Sequence, residues 1–110
     1  MVEKVRGLEE ERRMFERIKA GFPVDILVTG GAEEIKAESL DVSAGGMSVV
    51  SRRKADVGKN LKLWLNIQDK HKPFYTQGKV RWVRPLEESG FRFGIEFDKP
   101  EFMGVSRILY

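Results

Sequence analysis

The sequence predicts an all-β domain, a six-stranded antiparallel barrel with a charged N-terminal arm and a short C-terminal helix. Three observations lead there. From Phe22 onward apolar and polar residues alternate, most clearly at Leu61, Leu63, Leu65 and Ile67 and again at Phe91, Phe93, Ile95 and Phe97. Turn signals such as "TGG" at 29–31 and "SAGG" at 43–46 separate the runs. A chain of 110 residues has room for one modest core, and half-apolar strands in so small a domain remove their edges by closing into a barrel.

Each element follows from local pattern. Residues 3–20 are charged, with Glu9 four before Arg13, and read as a short helix or a mobile arm that Gly21 ends. Val24, Ile26 and Val28 then alternate behind Pro23, whose missing N–H does least harm at a strand start. The next run changes parity between Ile35/Ala37 and Leu40/Val42, which predicts a bulge near Glu38 and Ser39 and places Leu40 and Val42 in the core. "MSVVS", Asn60–Gln68, Phe74–Arg84 and "GFRFGIEF" supply four more strands. Trp82 shares the phase of Val80 and is expected in the core, whereas Trp64 faces away from the leucines and is expected to cover the C-terminal segment. Pro100 closes the last strand, and "EFMGVSRILY" predicts a helix laying Phe102, Ile108 or Leu109 on the barrel, with Gly104 as its weak point. The organisation is therefore an arm over residues 1–20 and a barrel with its helix over 21–110.

Composition narrows the function. Twenty basic residues are nearly matched by seventeen acidic ones, for a formal net charge of +3, so local rather than global charge matters and nucleic-acid coating is not expected. No cysteine and a single histidine, His71 in a charged turn, argue against thiolate chemistry and histidine-based metal sites. The first residues carry acids where a signal peptide needs an apolar run, and no stretch approaches the ~18 apolar residues of a membrane span, so a cytoplasmic location without membrane insertion is expected. Neither a nucleophile–base pair nor paired catalytic carboxylates are signalled, and no catalytic residue, metal or cofactor is expected.

Two groups of residues point to ligand binding. Asp41 and Ser43, two apart, share the face of a strand opposite Val42, and Gly45 and Gly46 follow where a ligand can approach bare backbone. A carboxylate accepts from the ring N–H and exocyclic amine of guanine, and a hydroxyl both donates and accepts. Upstream, Arg12, Arg13 and Arg17 offer planar forks that donate paired hydrogen bonds to guanine O6 and N7 or to phosphate. Arg52 and Arg53, in the charged stretch after the glycine turn, are further phosphate candidates.

Arg13 and Arg17 form R-x-x-x-R and Asp41, Ser43 and Gly46 form D-x-S-x-x-G; with "GKVRWV" and "GFRFGIEF" these resemble the PilZ domain, the bacterial receptor module for cyclic di-GMP, from about Glu11 to Asp98. Among ten arginines about one R-x-x-x-R arises by chance, whereas D-x-S-x-x-G arises a few hundredths of a time, so the conjunction carries the resemblance. It implies a six-stranded barrel whose arm closes over cyclic di-GMP. Arg13 and Arg17 would then contact guanine and phosphate, Asp41 and Ser43 would line the guanine, and Gly46 would shape the turn. Arg12 matches an Arg-Arg-x-x-x-Arg variant that resembles receptors of an intercalated ligand pair. A protein effector of unknown identity, and a monomer or dimer, complete what the resemblance implies. The alternatives are a ligand-independent adaptor barrel and a small RNA-binding barrel, the latter resting on the basic pI of 9.3 and Trp64.

Overall fold

The structure, a computed structural model, describes residues 15–31 and 33–109. Among these residues seven strands and a C-terminal helix follow in order: β1 (Ile18–Lys19), β2 (Pro23–Val28), β3 (Glu34–Ser43), β4 (Gly46–Ser51), β5 (Asn60–Leu65), β6 (Phe74–Pro85), β7 (Phe91–Phe97) and α1 (Phe102–Leu109). The sheet runs β1-β3-β2-β5-β6-β7-β4, every pairing is antiparallel, and β3 pairs with β4 to close it. Strands β2 to β7 thus form the expected six-stranded barrel. The two residues of β1 extend β3 at Val42 and Asp41, so sheet pairing begins ahead of Gly21.

The unbroken alternations lie where period two puts them. Val24 and Ile26 of β2, Leu61, Leu63 and Leu65 of β5, and Phe93 and Ile95 of β7 are all buried in one cluster with Ile35, Val42, Met47, Val49 and Val80. Burying each such side chain contributes roughly 1.5–3 kcal/mol, and this cluster fixes the register that carries the outer face.

Two bulges redirect side chains. In β3 the register shifts between Ser39 and Asp41, so the extra residue is Leu40, just beyond the expected place. Val42 is buried as expected, but Leu40 is only half-buried and lies outside the core, because the inserted residue is the one the parity change leaves unassigned. The second bulge, at Arg81 between Val80 and Trp82 of β6, overturns the reading of Trp82. Val80 stays inside, the phase slips by one, and Trp82 turns to the outer face while Val83 packs on the core.

The helix α1 spans 102–109, with Gly104 buried against Phe74 and with Val105 and Ile108 on the barrel. Phe102 does not join the core. It is 40% exposed and meets the ring of Phe15 edge-to-face at 5.5 Å. Arg107 clamps the other end of α1 to Asp69, beyond β5, through two hydrogen bonds of 2.6 and 2.7 Å. Trp64 packs against Tyr75 at 5.2 Å between ring centroids.

Candidate functional site

The hairpin between β3 and β4 builds the site. Ser43 pairs with Gly46, leaving only Ala44 and Gly45 in the turn. Ser43 ties this turn with its own hydroxyl, which accepts the Gly45 N–H (3.3 Å) and donates to the Gly46 carbonyl (3.4 Å), so it is buried. The carbonyls of Ala44 and Gly45 are also used: they accept from the N–H groups of Glu101 (2.8 Å) and Phe97 (2.9 Å).

Neither Gly45 nor Gly46 adopts a left-handed φ. Gly46 is needed for a different reason. A Cβ there would lie 2.2 Å from the carbonyl oxygen of Ile95, across the β4–β7 pairing, a separation no side chain tolerates. The last residue of D-x-S-x-x-G therefore permits barrel closure behind the turn.

Asp41 is the hub. The two-residue turn places it directly opposite Ser48, whose hydroxyl donates to Asp41 Oδ2 at 2.8 Å from a position only 2% exposed. Arg92 of β7 donates from Nη2 to the same oxygen and to Ser48 Oγ, both at 3.4 Å. Arg17, 24 residues upstream, donates from Nη1 to Oδ1 at 3.0 Å. An ionised carboxylate has about four acceptor positions, and three of Asp41's are thus taken. These three partners differ in how readily they leave: Ser48 is buried, whereas Arg17 has 54% of its side chain exposed.

Beside this hub lies an open cleft of about 320 Å³ lined by Phe15, Arg17, Ser43, Gly45, Trp82 and Glu96, among others. Its floor is aromatic because Trp82 lies across Gly94, where an added Cβ would fall 2.2 Å from the indole nitrogen. The guanidinium groups of Arg84 and Arg92 sit 5.0 and 5.8 Å from that ring, within cation–π range. Arg81 donates to Glu96 at 2.5 Å, and this hydrogen bond holds the Glu96 carboxyl below its ordinary range. Among the described residues Arg17, Arg81 and Arg92 hydrogen-bond to Asp41 and Glu96, three positive groups against two negative, with Arg84 over the adjoining Trp82 ring. The surplus suits an anion.

The structure brings together Arg17, Asp41, Ser43, Gly45 and Gly46. Arg12 and Arg13 lie outside the described residues. Arg52 and Arg53 are elsewhere, in a groove of about 670 Å³ with Lys36, Glu38, Leu86 and Ser89, where Arg53 pairs with Glu33, and Lys36 pairs with Glu34 and Asp25. Sequence reasoning missed Phe15, Ser48, Trp82 and Arg92. Among the described residues no group of acidic or histidine side chains is arranged to hold a metal, and no helix is long and apolar enough to cross a membrane.

The chain belongs to the PilZ domain family, whose model matches residues 11–107. Its fold is similar to the PilZ domain of YcgR from Escherichia coli, a structure determined with c-di-GMP, at TM-score 0.70 and 15% identity over 88% of each chain. It is also similar to the Bacillus subtilis inhibitor of motility, MotI (DgrA), at TM-score 0.66 and 22% identity over 84% of this chain; the match covers 46% of that longer protein. The PilZ domain of CeSA from a cellulose-synthesizing bacterium matches at TM-score 0.60 and 14% identity, over 86% of this chain and 91% of that one. No curated protein matches the sequence.

Proposed function

We propose that this chain is a bacterial, cytoplasmic second-messenger receptor that binds cyclic di-GMP at the Asp41 hub and signals to a partner protein by rearranging its N-terminal segment. One observation carries the reading: Arg17 of the first motif and Asp41 of the second, far apart in sequence, meet at 3.0 Å beside a cleft with a positive surplus. Family membership and the ligand in the YcgR structure support it.

The geometry refines the expected mechanism. Asp41 has too few vacant acceptor positions for the paired N–H donors of a guanine edge while Arg17, Ser48 and Arg92 all hold it. Arg17 is the cheapest partner to displace, since an exposed ion pair is worth only ~0–1 kcal/mol. Binding is therefore an exchange: the guanine edge takes Oδ1, and the released guanidinium turns to guanine O6/N7 or to a phosphate. Arg13 supplies the second fork and Arg12 a contact to a second nucleotide. Trp82 offers a face on which a base stacks, worth ~1–3 kcal/mol. Ser48 and Arg92 keep the carboxylate oriented throughout. A binding role needs no catalytic group here.

A second reading has one observation in its favour. The Asp41 carboxylate is already satisfied internally, as a ligand-independent adaptor would require. Calorimetric titration of cyclic di-GMP into the wild type and into Arg13→Ala, Arg17→Ala and Asp41→Ala separates the two. The receptor reading predicts a dissociation constant near micromolar, about −8 kcal/mol, weakened in every variant. Absence of heat with the wild type favours the adaptor, and undiminished binding in all three variants refutes the site.

A further inference from the structure

The site is joined to the start of α1 at two places. The carbonyl of Ala44, inside the β3–β4 turn, accepts the N–H of Glu101 at 2.8 Å immediately before the helix begins. Phe15 makes the second junction. Its ring packs on Gly45, where an added Cβ would lie 3.8 Å from it, and meets Phe102, the first residue of α1, at 5.5 Å with the planes 89° apart. Phe15 stands two residues before Arg17, and two residues of chain span at most ~7 Å. A movement of the Arg17 backbone away from Asp41 therefore carries Phe15 with it.

The two ends of α1 differ in how they are held. Its last turn is clamped by the paired Arg107–Asp69 hydrogen bonds, and Ile108 packs against the core. Only the outer face of the first turn is open, opposite the buried Gly104 and Val105: Phe15 is 49% exposed, Phe102 40% and Met103 73%. Such a contact can be made or broken without opening the core.

Resting on the cyclic di-GMP reading above, we infer that Phe15 is a positioning residue that couples the Asp41 site to α1, its contact with Phe102 belonging to the nucleotide-free arrangement and breaking when Arg17 leaves Asp41. Linkage makes the coupling reciprocal. If nucleotide binding breaks the Phe15–Phe102 contact, deleting that contact from either side tightens nucleotide binding, even though Phe102 lies outside the cleft lining.

The test measures cyclic di-GMP affinity and amide hydrogen exchange of Val105 to Arg107 in the wild type, Phe15→Ala, Phe102→Ala and the double variant, with Arg17→Ala as a further arm. Both rings are half-exposed, so the fold survives their truncation. The energy of an aromatic pair corresponds to about two- to tenfold in affinity. Each single variant is expected to tighten binding by that factor, and the double variant by no more than either single one. Nucleotide is expected to speed exchange at Val105 to Arg107 in the wild type and to leave it unchanged in Phe15→Ala. A wild type that binds without altering that exchange, or a Phe102→Ala affinity equal to the wild type's, overturns the coupling. A wild type that does not bind at all removes the receptor reading instead. The coupling is then decided by the nucleotide-free arm, where Arg17→Ala and Phe15→Ala must both accelerate exchange in α1 and unchanged rates refute it.

Discussion

Replacing Asp41 with asparagine removes one charge and one acceptor while keeping the shape of the side chain. In the proposed complex the carboxylate accepts from two guanine N–H donors, each bond worth ~1.5–3 kcal/mol because the acceptor is charged. Asparagine retains one such bond as a neutral contact of ~0.5–1.5 kcal/mol. The difference is reduced by up to ~1 kcal/mol, since the Arg17–Asp41 pair no longer has to be broken. A net loss of about 1.5–4 kcal/mol remains, roughly ten- to a thousandfold in dissociation constant. Isothermal titration measures it. Ser48 can still donate to the amide oxygen, so the fold is expected to persist, with a thermal midpoint lowered by no more than about 8 °C. A folded Asp41→Asn protein whose affinity changes by less than threefold would refute the placement of guanine on this carboxylate.

Three further outcomes are expected. Gly46→Ala drives a Cβ into the Ile95 carbonyl and should cost about 1–3 kcal/mol or more in chemical denaturation, whereas Gly31→Ala, whose nearest neighbour would lie 3.6 Å away, should stay within ~0.5 kcal/mol; equal effects would contradict the closure role of Gly46. The Asp69 carboxyl is held well below its ordinary 3.8, chiefly by the hydrogen bonds from Arg107, with the His71 N–H adding to the effect. A carboxyl depressed by folding stabilises the fold above its unfolded value, so this contribution is intact above about pH 4 and fades as pH falls further; between pH 4 and 2 the wild type should lose more stability than Arg107→Ala, and parallel losses would disprove the clamp. Binding of cyclic di-GMP should change the tryptophan fluorescence in Trp64→Phe but leave it unaltered in Trp82→Phe, and the reverse pattern would remove Trp82 from the site.

Much of the barrel was legible because period-two burial needs no long-range information where it runs unbroken. β7 is bounded as its alternation predicts, and β5 begins at Asn60 but stops at Leu65, with Ile67 half-buried in the turn beyond. The misreadings cluster at inserted residues. A bulge at Arg81 leaves no compositional mark, and every residue after it changes face, which is why Trp82 appears in the cleft and not in the core. At the candidate site, Arg17, Asp41 and Ser43 were singled out by the conjunction of the two motifs, since the arginine spacing alone carries little. Ser48 could have been found as well, since a two-residue turn after Ser43 sets Asp41 opposite Ser48 by counting alone. Arg92 and Phe15 could not, because they reach the site through the β4–β7 pairing and through the packing of α1, neither of which a single sequence encodes locally. Arg52 and Arg53, close to the glycine turn in sequence, end at the other end of β4, since that strand carries the chain away from the turn.

The most direct measurement is a crystal structure of the chain with cyclic di-GMP. Asp41 should lie within about 3.2 Å of the guanine ring and exocyclic nitrogens, with Ser48 still bonded to the carboxylate and Arg17 turned from it to the nucleotide. A nucleotide bound elsewhere, or bound while Arg17 keeps its contact with Asp41, would contradict the exchange on which the proposed receptor mechanism stands.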